Sequence, residues 1–248
     1  MAHGYRTLQR WDQWLTHHFL GSILLQEEGK LLPSLLNKHL GKHAVLIGVP
    51  NQASLLSGMT QDKPLLMSPP IHHGHIDFHI ESDLHELPIQ SGTVDLVVMP
   101  HTLEFVDHPR HLFSEACRIV KPEGLIAIIG FNPYSAWGMK NIFAEDSSSA
   151  FASHMIHAQK IKGWLKLADF AMEQHHSFLF RPPLSYPALQ SKLSFLEKIG
   201  PYCFSPFGGA YVLIARAKVI PLTPIKMKWK QELNNIRMPS AMPGHIAR

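Results

Sequence analysis

The apolar positions of this chain change period several times, and each change predicts an element. Leu8, Trp11, Trp14, Leu15, Phe19 and Leu20, then Leu31, Leu32, Leu35, Leu36 and Leu40, recur at helical spacing and predict two amphipathic helices around Gly29-Lys30. His43 to Val49 and Lys63 to Ser68 read as short strands. Val94 to Met99 is a nearly continuous apolar run rich in Val, the pattern of a strand buried on both faces, closed by Pro100. From Pro109 the period becomes helical through Leu112, Phe113, Ala116, Ile119 and Val120. Pro109 suits the first turn because its missing N–H would be unpaired there. Lys121-Pro122-Glu123-Gly124 predicts a turn, and Leu125 to Phe131 the next buried strand.

Strand, helix and strand at this spacing form a βαβ unit. Such a unit brings the loops after Met99 and Gly130 together at the carboxyl ends of the strands, where open α/β sheets bind ligands. Residues 133–153 show no sheet pattern. Further on, the periods predict a helix over Ile161 to Met172, a strand over Gln174 to Phe180, a helix near Ala188 to Lys198 and a last strand over Ala210 to Ala217.

Composition narrows this picture. Of 248 residues 45% are hydrophobic and 17% charged, a balance that folds, in one domain with embellishments. The two cysteines, Cys117 and Cys203, are too few for a disulfide framework, which points to a reducing cytoplasm. No run approaches the ~18 apolar residues of a membrane span, and the N-terminus carries no signal-peptide pattern. The net charge of +4 is concentrated after Lys218, in Lys226, Lys228, Lys230, Arg237 and Arg248, so it describes a tail and nucleic acid is not the expected partner. His72, His73, His75 and His79 are the densest part of a histidine-rich chain. With no neighbouring Cys and no H-E-x-x-H helix they read as a loop entering the third strand, and no metal is expected.

Several spaced motifs carry a family resemblance: Asp83-Leu84-His85-Glu86-Leu87-Pro88, Val94-Asp95-Leu96-Val97-Val98, His101-Thr102-Leu103-Glu104-Phe105-Val106, Asp107-His108-Pro109 and Arg118-Ile119-Val120-Lys121-Pro122-Glu123-Gly124. In this order they resemble the class I S-adenosylmethionine-dependent methyltransferases, type-11 group. Gly130-Phe131-Asn132-Pro133, Leu213-Ile214-Ala215-Arg216 and Ile220-Pro221-Leu222-Thr223 resemble a little-characterised bacterial branch of it. The resemblance implies a Rossmann-like, mostly parallel sheet of seven strands with an antiparallel closing hairpin. It divides the chain into an N-terminal helical cap (1–41), a methyltransferase-like domain (42–223) and a basic, loosely held tail (224–248). S-adenosylmethionine is the implied cofactor and a small molecule the implied acceptor.

Carried over position by position, the resemblance puts Gly48 at the first glycine of the loop after strand one. The acid that should precede it is Leu46, and the second and third glycines are Pro50 and Gln52. Pro50 removes a donor N–H and Leu46 accepts no hydrogen bond. No acid for the ribose hydroxyls follows strand two, where Ser68 stands. Asp83 and the Leu84 N–H supply the acceptor and donor that the adenine edge requires. His101 falls where the chain passes the methyl donor, and His101 or Glu104 is a candidate base, Glu104 being otherwise a solvent-facing residue at a helix start. Asn132, Tyr134 and Trp137 are candidates for lining the acceptor pocket, or else for anchoring a loop. Two functions are carried forward: methyl transfer, and a methyltransferase-like scaffold that no longer turns over. A nicotinamide oxidoreductase is disfavoured because no G-x-G-x-x-G follows a strand.

Overall fold

The structure, a computed structural model, describes residues 2–36, 42–56, 64–71, 78–143, 154–184, 192–203 and 207–219. Most of the histidine run, the expected tail and the border between cap and domain lie outside them. Seven strands form one sheet in the order β3-β2-β1-β4-β5-β7-β6: β1 Ala44–Ile47, β2 Leu65–Ser68, β3 His79–Glu81, β4 Val94–Pro100, β5 Val120–Phe131, β6 Phe170–Phe178 and β7 Ala210–Ala217. β1 to β5 are parallel and β7 is antiparallel to both β5 and β6. This is the expected mostly parallel sheet with its closing hairpin.

Burial follows the residue patterns. β1 is buried throughout, and β4 is too except at Asp95, which is half-buried near the amino end of the strand. β6, at the sheet edge, is polar and exposed through Met172-Glu173 and His175-His176. Helix α3 (Pro109–Ile119) turns Leu112, Phe113, Ala116 and Ile119 into the core, as its period predicts, with Pro109 in its first turn. Helices α4 (Ala136–Phe143), α5 (Ala158–Leu167) and α6 (Leu196–Cys203) complete the layers.

The elements differ from expectation at points with local causes. The helical cap breaks at His18, into α1 (Ala2–His17) and α2 (Phe19–Leu36), and α2 runs straight through Gly29-Lys30. The break is possible because Gly21 lies against the end of α1, where a Cβ would come within 2.5 Å of the Trp14 carbonyl oxygen. β4 extends through Pro100, and β5 begins at Val120, so the predicted turn at residues 121–124 is an irregular stretch of strand, with the register shift falling between Val94 and Leu96 of its partner. Helix α5 stops at Leu167 because Asp169 takes φ +58°, which reverses the chain into β6 four residues before the expected strand. Of the helix expected near 188–198, the first residues lie outside the described ones, and the rest is a short helical turn at Leu193–Phe195 followed by α6.

In the sheet, β1 lies between β2 and β4, and the chain runs outward from it in both directions. A crevice opens at such a switch point, outside the carboxyl ends of the strands.

Candidate functional site: a crevice under a helical cap

The loop after β1 turns into a short helical segment, Pro50–Leu56, and the amide donors from Gly48 to Gln52 are engaged within the protein. The Gly48 N–H donates to the Met67 carbonyl (3.0 Å) and the Gln52 N–H to that of Val49 (2.9 Å). The Val49 N–H donates to Gln52 Oε1 (3.1 Å) and the Asn51 N–H to Asp12 Oδ1 (3.0 Å). Pro50 has no donor. Gln52 is fully buried, and its amide group donates onward to the Pro100 carbonyl (3.1 Å), so its side chain fills the space beneath the loop and ties β1 to β4. Gly48 is required for this, since a Cβ there would lie 2.6 Å from Gln52 Oε1. The two non-glycine positions are thus occupied by residues that close the loop.

Helix α1 seals the loop from above. Asp12 is fully buried and accepts from both the backbone N–H and the side chain of Asn51, the latter at 2.7 Å. Beside it Trp11 stacks on Phe105 (4.6 Å between ring centres), meets Phe131 edge-on (5.9 Å) and lies 5.5 Å from the ring of His101.

His101 leaves β4 in the left-handed region, φ +58°, and is wholly buried. Its Nε2 lies 2.7 Å from Glu28 of α2 and its Nδ1 3.0 Å from Glu104. Burial alone pushes the imidazole down, but the charge of Glu28 and hydrogen bonds to Glu104 and Glu28 outweigh it, and the pKa is pushed up to about 9. Glu104 is buried rather than solvent-facing. Its carboxylate accepts the Phe131 N–H (2.7 Å), and burial holds its carboxyl above the usual range against the pull of His101.

The remaining candidates are spread around the rim. Asp83 is exposed, its Oδ1 accepting the His85 N–H (2.9 Å), and Leu84 beside it is buried in the wall of a cavity of about 910 Å³. Ser68 is buried and within hydrogen-bond distance of the Pro69 carbonyl and of His79. Trp137 is buried, its indole N–H donating to the Arg181 carbonyl (2.8 Å), and Asn132 holds the Gly208 carbonyl (3.1 Å). Both therefore anchor the loop after β5. Tyr134 alone of the three is exposed, its ring edge-on to His157. None of the three lines the cavity.

Sequence reasoning missed Asp12 and Glu28, and assigned Trp11 and Gln52 no part in closing the crevice. A signal existed for two of them. Glu28 interrupts the stripe Leu20, Leu24, Leu32, Leu36 of α2, and Asp12 falls between Trp11 and Leu15 on the buried face of α1. A carboxylate on an apolar stripe implies a buried partner.

The fit of the implied cofactor divides along its length. The adenosine end fits: an exposed carboxylate and a buried leucine stand together at the carboxyl end of β3, at the margin of an open cavity. The amino-acid end does not fit while α1 is seated, because every loop donor that would meet it is already bonded.

Comparisons with known proteins follow the same outline. Residues 51–128 match the type-11 methyltransferase domain family. An uncharacterised Escherichia coli protein, YafS, is 26% identical over 159 residues, covering 64% of this chain, and the chain spans 62% of that protein's length. Among solved structures, a possible histamine N-methyltransferase from Thermotoga maritima superposes with a TM-score of 0.59 at 18% identity, over 88% of this chain and 100% of that one. The cyclase SpnF superposes at 0.52 with 13% identity, over 76% and 80%. At such identities these structures speak for the fold.

Proposed function

We propose that this chain, which carries a class I methyltransferase domain of the type-11 group, binds S-adenosylmethionine and transfers its methyl group to a small-molecule acceptor. The observation that carries the reading is the pairing of exposed Asp83 with buried Leu84 at the carboxyl end of β3, where the cavity opens. The cofactor supplies a methyl already activated as a sulfonium. The chain's own part is to recognise the adenine edge through the Asp83 carboxylate, to hold the acceptor and to exclude water. His101 and Glu104 act here as positioning residues, since the pair is enclosed by Glu28, Trp11 and Phe131. Helix α1 leaves the loop after β1 when the amino-acid end of the cofactor enters.

A second reading, a domain that binds or regulates without turning over, draws on the fully bonded loop donors. Calorimetry with S-adenosylmethionine and S-adenosylhomocysteine separates the two. Weak binding that Asp83→Ala loosens about tenfold, one charged hydrogen bond's worth, supports the enzyme. No heat at millimolar ligand supports the scaffold.

A further inference from the structure

The cavity of about 910 Å³ is larger than the adenine edge requires, and most of its wall belongs to other elements. Leu8 of α1, Leu84 and Val106 form a buried apolar floor. The rim is built from the first turn of α3, with Arg110 and His111, and from Lys160 and Trp164 of α5. Flat rings dominate it: His85 lies 5.5 Å from His108 and 5.8 Å from His111, and Lys160 Nζ stands 5.6 Å from the centre of the Trp164 ring. Among the described residues no three ligating side chains converge as a metal would need.

The charges on this rim are placed against the helices that carry them. Neither α3 nor α5 has an acidic residue in its first turn, and Arg110 and Lys160 stand where the helix dipoles disfavour cations. Glu86 and Asp107 also line the cavity. An arrangement that opposes local preference at a cavity marks function, and an anion in the cavity relieves it. The two carboxylates set the limit, since they repel a dianion such as a phosphate monoester and tolerate a single negative charge.

We propose that this cavity holds the methyl acceptor and that the acceptor is a small planar aromatic carboxylic acid. Its ring lies against Trp164 and the apolar floor, and its carboxylate faces Arg110, His111 and Lys160. Such a molecule fills only part of the volume and leaves the Leu84 side to the cofactor. Its description as an acceptor rests on the methyltransferase reading; the acid site itself does not.

The test is calorimetry with 4-hydroxybenzoate and indole-3-carboxylate against the corresponding neutral amides, repeated with adenosine present. The acids should bind at least about tenfold more tightly than the amides, and Arg110→Gln and Lys160→Gln should each remove about fivefold of this. Both side chains are exposed, so both variants should melt as the wild type does. Adenosine should leave the acid affinity unchanged. Equal binding of acids and amides, or displacement of the acid by adenosine, overturns the proposal. Acid binding in a protein that binds no S-adenosylmethionine would keep the site and remove its role as an acceptor site.

Discussion

His101 concentrates the residue-scale physics of the crevice. An imidazole with its pKa pushed up to about 9 is stabilised in the fold as the cation, so its contribution is fully present below its ordinary value of 6.5 and is lost as pH rises through about 9. Glu104, also raised, acts in the same direction: the folded state holds more protons than the unfolded one, and stability falls as pH rises. The melting temperature should therefore decline between pH 6.5 and 9.5, with an underlying loss on the order of 3 kcal/mol from His101. His101→Gln should be less stable at neutral pH and should lose the part of this decline that His101 supplies. A wild-type melting temperature that rises through the window would contradict the assignment. The proposed adenine contact is tested on the same scale by Asp83→Ala, through the tenfold loss of S-adenosylhomocysteine affinity expected above. Both residues were legible in the sequence because they fall in ordered motifs. Their environments were not, because Glu28 lies 73 positions from His101 and only the fold brings them together. Gln52 shows the same limit: as a departure from glycine it reads as a loss, and its use as the plug beneath the loop depends on where its amide points.

At the scale of elements, the two helices of the cap are held differently. Helix α2 is fixed by Glu28 on His101 and by Arg181, which bridges Glu27 (2.9 Å) and Glu197 (3.0 Å). Helix α1 ends at the break at His18 and is seated by Asp12 and by the apolar face of Leu8, Trp11 and Leu15. Its seat is imperfect: Trp11 Nε1 is buried without a hydrogen-bond partner among the described residues, a cost of about 1–3 kcal/mol. Ligand that displaces α1 should raise hydrogen exchange in residues 2–17 while α2 stays protected. Unchanged exchange in α1 at saturating S-adenosylhomocysteine would mean that the ligand binds without moving it. Both helices were foreseeable from their periods, but not their boundary, because Gly29-Lys30 resembles a break and the actual one depends on how closely Gly21 approaches α1. The α5 to β6 junction was displaced for a similar reason, since a left-handed Asp169 carries no periodic signal.

For the molecule as a whole, the residue patterns alone reached as far as a βαβ unit with its right-handed crossover, and the seven strands with their closing antiparallel pair were implied by the family resemblance. Function is less constrained by topology, as the likeness to both a possible N-methyltransferase and a cyclase illustrates. In this chain Asp12 sits on the Asn51 amide of the loop after β1, the loop that the proposed reading assigns to the amino-acid end of the cofactor. The most direct measurement compares S-adenosylhomocysteine with adenosine on the wild type and on Asp12→Ala, by calorimetry. Removing a charged hydrogen bond that competes with the ligand should tighten S-adenosylhomocysteine about tenfold or more, while adenosine, which has no amino-acid end, binds both proteins alike. If Asp12→Ala leaves S-adenosylhomocysteine affinity unchanged or weakens it, α1 does not compete for the crevice and the account is wrong.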